Sequence, residues 1–204
     1  IVNPGTKPDI KYYQKNDFIL LRSIYSSSTA FFTLSLYKKD LKLYVLKEYY
    51  KIEKNFYHEN EFCKNYLHHC MTHFYGFLEY NNNHVNGFVY EFMSNGTLSH
   101  LIKTHPDKVD DKFIVQTIYR VFQAINYLHS NNLIHRDINP DNILINNDFL
   151  PFLSDYDQIR CVNLVHGEQM TTDIGSFNYA SPEQLNKKEA VSFPTDFYSF
   201  GKLI

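Results

Sequence analysis

Three oxygen-bearing side chains stand at spacings that chemistry can use. Asp137 and Asn142 share the run His135-Arg136-Asp137-Ile138-Asn139-Pro140-Asp141-Asn142, and Asp155 follows Asp137 by eighteen residues. Transfer of a phosphoryl group needs a carboxylate to orient the attacking hydroxyl and oxygen ligands to hold magnesium against the phosphates. Asp137 suits the first task; Asn142 and Asp155 suit the second. Taken singly, each has a plainer reading, because a lone aspartate commonly caps a helix or closes a turn. Lys47, in Val45-Leu46-Lys47, likewise reads by itself as a salt-bridging strand lysine.

These residues need elements to hold them. Residues 18–24, 30–37 and 41–49 are rich in aromatic and β-branched side chains, with turn signals such as Lys38-Lys39-Asp40 between them, and read as strands. Residues 52–67 read as a helix with Phe62, Cys63 and Tyr66 on one face. Residues 74–80 and 87–92 form an expected hairpin across Asn81-Asn82-Asn83. The pattern breaks at Ser94-Asn95-Gly96. Beyond it, 97–104 and 112–129 read as helices, the second burying Ile114, Ile118, Val121, Phe122, Ile125 and Leu128. Short strands at 143–145 and 152–153, a long polar segment to about residue 179 and a helix beginning near Thr195 complete the reading. A strand-rich part (1–93) before a helix-rich part (94–204) is an α+β arrangement, for which a ligand site in the intervening crevice is the expectation.

Further motifs stand in a fixed order around the first. They are Tyr90-Glu91-Phe92-Met93-Ser94-Asn95-Gly96-Thr97-Leu98, Tyr127-Leu128-His129, Gly175-Ser176-Phe177-Asn178-Tyr179-Ala180-Ser181-Pro182-Glu183, and Asp196-Phe197-Tyr198-Ser199-Phe200-Gly201. Together with the H-R-D-x-x-x-x-N run they make the chain, from about Asp17 onward, resemble a eukaryotic protein kinase domain, of the serine/threonine or tyrosine-kinase-like group. The resemblance implies a two-lobed fold: an antiparallel sheet plus one helix, then a mostly helical lobe cut off soon after the start of the helix near Thr195. The last helices of that lobe, and the arginine that pairs with Glu183, are expected to lie outside the chain. It also implies Lys47 for the phosphates, Asp137 as catalytic base, Asn142 and Asp155 for Mg²⁺ or Mn²⁺, and an Asp196 that braces the catalytic loop. Nucleotide contacts are implied at Phe32, Val45, Tyr90, Glu91, Met93 and Leu144, and at Ser27 and Ala30 in the phosphate loop. For the partner of Lys47, Glu59 and Glu61 point to nearly opposite helix faces. In kinases the residues four and fifteen beyond that glutamate join an apolar stack. From Glu59 these are Cys63 and Phe74, from Glu61 they are Asn65 and Gly76, so Glu59 is chosen. His135 and Tyr156 would complete the stack.

The departures from the family are specific. Its three loop glycines become Tyr25, Ser27 and Ala30, although glycine serves there by accepting strained angles and close approach. Val45 and Phe32 are bulkier than the family's alanine and valine, and added volume in a tight pocket costs roughly 1–3 kcal/mol. Asn139 replaces a lysine that steadies the transferred phosphate, a contact worth about 10²–10³ in rate. Asp157 replaces a glycine and adds a carboxylate beside Asp155. With two fewer positive charge units than the family pattern, nucleotide binding is expected to lean on divalent metal.

Composition bounds the rest. The net charge of −2, without a dense basic stripe, gives no general attraction for nucleic acid. No apolar run reaches membrane-spanning length, and no secretory leader is visible. Cys63, Cys70 and Cys161 are too scattered for a disulfide framework or zinc site, which fits a reducing, cytoplasmic setting. His58, His68, His69 and His73 read as residues of a helix end and its exit loop. Thr171 or Thr172, answered by Arg136, are candidate phosphorylation sites, with a plain solvent-facing loop as the alternative. The leading functional reading is an ATP-dependent protein kinase acting on Ser/Thr hydroxyls of protein substrates, with regulatory protein partners. A pseudokinase that serves as a binding or scaffold module is the alternative, drawn from the lost glycines, Asn139 and Asp157. A small-molecule phosphotransferase is disfavoured by Ser181-Pro182-Glu183.

Overall fold

The computed structural model describes residues 9–29, 31–80, 84–162, 177–185 and 191–204. Ala30, Thr171, Thr172, Gly175 and Ser176 therefore lie outside the described residues. The chain divides into two compact units, Ile1–Phe92 and Met93–Ile204.

The first unit is a six-stranded sheet and one helix. Its strands are β1 (Lys11–Gln14), β2 (Ile19–Ser27), β3 (Phe32–Lys39), β4 (Lys42–Tyr49), β5 (Phe74–Tyr80) and β6 (His84–Glu91), in the order β1-β5-β6-β4-β3-β2. Every described pairing is antiparallel except β1 with β5, which is parallel and sets Lys11 opposite Gly76. The sequence gives no sign of β1. It has four residues, three of them exposed, so it carries no apolar alternation.

Alternation along β4 sorts the two faces of the sheet. Leu46 joins Phe18, Tyr37, Leu78 and Val89 in a buried cluster flanked by Tyr13, Tyr44 and Tyr75. Val45, Lys47 and Tyr49 point the other way. Their registered neighbours on that face are Leu36, Leu34 and Phe32 from β3 and Tyr90 and Phe88 from β6. Helix α1 (Lys54–Asn65) lays Phe56 on it, with ring centroids 5.3 Å from both Tyr49 and Phe88. The buried residues of α1 are Phe56, Glu59, Phe62 and Cys63, one helical stripe with a carboxylate in its middle.

The second unit holds α2 (Leu98–Thr104), α3 (Asp111–Ser130), β7 (Leu133–Ile134), β8 (Ile143–Ile145), β9 (Pro151–Leu153), β10 (Arg160–Cys161), α4 (Pro182–Leu185) and α5 (Phe193–Leu203). Asp110 caps α3, accepting the Phe113 N–H at 2.7 Å. The buried stripe of α3 is Phe113, Thr117, Val121, Ala124, Ile125 and Leu128. This corrects the expected one: Ile114 and Phe122 are exposed and Ile118 is half-buried. The pairs Phe113-Ile114 and Val121-Phe122 offer two stripes a residue apart, and apolar periodicity cannot choose between them. Ala124 is fully buried, and Thr117 turns its hydroxyl back to the Phe113 carbonyl at 2.8 Å.

Candidate active site

In the first unit the centre is a buried ion pair. Lys47 Nζ lies 2.9 Å from Glu59 Oε2, with the two side chains 5% and 1% exposed. Glu61, on the opposite side of α1, is exposed and accepts the Asn65 amide at 2.7 Å. Glu59 receives two further hydrogen bonds, from the Tyr49 hydroxyl at 2.8 Å and from the Tyr90 hydroxyl at 2.7 Å. The Phe32 ring stands 4.4 Å from Lys47 Nζ, so the bulky replacement covers the ammonium by a cation–π contact. Cys63 is fully buried; burial and the nearby Glu59 charge push its thiol well above the usual range.

Two of the three phosphate-loop positions are ordinary strand. Tyr25 and Ser27 lie in β2, opposite Leu34 and Phe32. The left-handed backbone falls instead on Phe31, at φ 58°. The Ser27 carbonyl accepts the Tyr50 hydroxyl at 2.7 Å. Val45 is half-buried opposite Tyr90, and the Glu91 N–H donates to the His73 carbonyl at 2.9 Å.

In the second unit Asp137 is held from both sides. Asn139 Nδ2 donates to Asp137 Oδ1 at 2.9 Å, and Asn142 Nδ2 donates to Oδ2 at 2.6 Å. The same Asn139 side chain accepts the N–H groups of Asp141 and Asn142 at 2.8 and 3.2 Å, capping the 3-10 turn Pro140–Asn142. Read from sequence as a lost phosphate contact, Asn139 is also a cap and a carboxylate clasp. Below the loop, Asp196 is fully buried. It accepts the backbone N–H of His135 at 2.9 Å and of Arg136 at 2.8 Å, and meets His129 Nε2 at 2.8 Å. Glu183, expected to pair with an arginine, accepts the Thr195 hydroxyl at 2.8 Å. Leu144 pairs with Phe152 across the β8–β9 hairpin, and the buried Met93 accepts the Gly96 N–H at 3.2 Å.

Arg136 and Asp155 both adopt left-handed backbone, at φ 72° and 64°. Such angles cost a non-glycine residue roughly 1–2 kcal/mol each, and strain of this kind gathers at functional sites. Burial pushes the Asp137 carboxyl above the ordinary range. The Asp155 charge adds to that push, while His135 and the two amides pull it back. Two carboxylates that repel one another, beside an amide whose oxygen is still an acceptor, form a hard-oxygen set suited to Mg²⁺ or Mn²⁺. Asp157 is buried in the following turn, its carbonyl accepting Arg160 Nη1 at 2.7 Å.

The raised Asp137 fixes the sign of a pH effect. A folded-state carboxyl pKa above the unfolded value means that folding favours the protonated form, so stability falls as pH rises between the two values. Asp137→Asn removes that titration. In metal-free protein, the melting temperature of the variant relative to the parent is expected to increase from about pH 4 upward and then level off. Lost amide contacts in the variant add a constant offset. A pH-independent difference in paired thermal melts would contradict the shift.

The histidines near the α1 exit bring His68, His69 and Cys70 donor atoms within 4.8 Å of one another. His68 Nδ1 already accepts the Cys70 N–H at 3.3 Å, which places the ring proton on Nε2 and leaves that donor set poorly prepared for a metal. Among the described residues no helix is long and apolar enough to cross a membrane.

The first unit thus pairs a strand lysine with a carboxylate of α1, and the second carries Asp137, Asn142 and Asp155. The chain belongs to the protein kinase domain family, whose model matches residues 35–204. It is similar to an Aurora kinase of Debaryomyces hansenii, at 33% identity over 153 residues, 75% of this chain and 36% of the relative. It also resembles a protein kinase and PP2C-like domain-containing protein of Arabidopsis thaliana (31% over 135 residues, 57% of this chain and 20% of the relative). A serine/threonine-protein kinase of Saccharomyces cerevisiae is 26% identical over 124 residues, 61% of this chain and 8% of the relative. The chain thus spans only a minor part of each relative's length.

Proposed function

We propose that the chain transfers the γ-phosphoryl group of ATP to serine or threonine hydroxyls of protein substrates. The observation that carries this reading is Asp137: a half-buried carboxylate held at both oxygens, with a raised proton affinity, beside Asp155. In the proposed mechanism Asp137 orients the substrate hydroxyl and accepts its proton. Asn142 and Asp155 would hold the divalent cation, which would supply charge neutralisation at the phosphates. Lys47, oriented by Glu59, holds the phosphates. Asn139 fixes the direction of Asp137, and Asp196 fixes the loop from beneath. The serine/threonine preference is supported by Pro140 and by the serine/threonine-protein kinases among the chain's relatives. Contacts of Phe32, Val45, Tyr90, Glu91, Met93, Leu144, Ser27 and Ala30 with the nucleotide belong to the same proposal.

One observation favours a second reading, a nucleotide-independent binding module. The Phe32 ring already stands 4.4 Å from Lys47 Nζ, the group proposed to hold the phosphates. Labelled ATP, with and without Mg²⁺ or Mn²⁺, separates the two. Label transfer that requires metal and disappears in Asp137→Ala is the expected result. Absence of both label transfer and any nucleotide-dependent thermal shift would overturn the enzyme reading and leave the binding module. Equal ATP affinity with and without metal would remove the metal-dependent part.

A further inference from the structure

We propose that Tyr49 and Tyr90 form a hydroxyl clamp that locks Glu59 onto Lys47 in the protein without nucleotide, which makes both tyrosines positioning residues for the lysine. The functional weight of the clamp rests on the reading of Lys47 as the phosphate-holding cation; its existence does not.

Glu59 is 1% exposed, so every lone pair left empty on its carboxylate would be costly. A single lysine contact at Oε2 would leave Oε1 bare. The structure fills both oxygens: Tyr90 donates to Oε1, while Tyr49 and Lys47 donate to Oε2. All three donors come from the sheet, and α1 contributes only the acceptor. Tyr49 sits two residues beyond Lys47 and so shares its face of β4, and Tyr90 reaches in from β6, opposite Val45. Cys63 Sγ lies 3.2 Å from the Tyr90 oxygen, one turn along α1 from Glu59, so the helix brackets this hydroxyl from two positions. Burial and the Glu59 charge keep that thiol protonated, which preserves a neutral neighbour for the hydroxyl. Phe32 closes another side of Lys47. Every member belongs to the first unit.

Tyr49→Phe and Tyr90→Phe remove the hydroxyls and keep the rings in place against Phe56 and Phe74. Tyr37→Phe is the matched control, because its hydroxyl donates to Glu48 at 3.0 Å on the opposite face of the same sheet. The readout is competitive acetylation of Lys47 against the other lysines of the nucleotide-free protein, followed by mass spectrometry, beside hydrogen exchange of the α1 amides. The double Tyr49→Phe/Tyr90→Phe variant is expected to raise both the Lys47 labelling rate and α1 exchange by about tenfold or more. Tyr37→Phe is expected to leave Lys47 labelling within about twofold of the parent even where it lowers the melting temperature. Parent-rate labelling in the double variant, or an equal rise in the Tyr37 control, would overturn the clamp. A protein that fails to bind ATP while the double variant still exposes Lys47 would refute the proposed enzyme activity and leave the clamp standing.

Discussion

Asp196→Ala is expected to lower the stability of the protein by about 3–5 kcal/mol, read as a large drop in the midpoint of chemical or thermal unfolding. The carboxylate is fully buried and receives two backbone N–H groups and the His129 ring. Its removal strands the N–H groups of His135 and Arg136, and each buried orphan donor costs roughly 1–3 kcal/mol. Arg136 would also lose part of what holds it in left-handed backbone, so the strain at φ 72° would be released by loop rearrangement. Asp196→Asn keeps one acceptor oxygen but turns an amide toward a donor, and should fall between the two. A loss below about 1 kcal/mol for the alanine variant would mean that water or a neighbour replaces the carboxylate.

Phosphoryl transfer is expected to fall by about 10²–10⁴ in Asp137→Ala, the range for loss of a positioned general base. Nucleotide affinity should change far less, since the proposed phosphate and metal ligands Lys47, Asn142 and Asp155 all remain. Some loss of metal affinity is expected too, because Asn142 gives up its hydrogen bond to the Asp137 carboxylate. Single-turnover rates at saturating metal separate that contribution from the chemical step. Parent-like rates under those conditions would remove Asp137 from the mechanism.

Much of the fold was legible because local patterns and tertiary packing agree. Residues 74–80 and 143–145 form strands with the boundaries expected, and 112–129 is a helix because its caps and its apolar period point the same way. What sequence reasoning missed depends on register. Tyr90 lies thirty-one residues from Glu59, and nothing local to either shows that a strand aromatic will aim its hydroxyl at a helix carboxylate. Tyr49 reads as a β-forming residue, which it is; its hydrogen bond is a second property that only the pairing of β4 with α1 exposes. Asn139 was legible as a substitution, yet its hydrogen bonds to Asp137 and to the following turn appear only once the loop is folded. The rotated stripe of α3 has the same origin. Where two apolar residues are adjacent, the neighbour that packs against them selects the face.

The parallel strand β1 bears on where this domain can be cut. The family match starts at residue 35, inside β3, whereas the sheet starts at Lys11. β1 fits against β5 because Gly76 has no side chain; a Cβ there would come 2.1 Å from the Lys11 carbonyl oxygen. A recombinant piece begun at the family boundary would lack both outermost strands, leaving β3 and β5 with open backbone edges of the kind that recruit other chains into aggregates. The practical start of an expressible domain is therefore ahead of Lys11. The slot at Gly76 marks a place where even one added methyl would evict the strand that guards the edge.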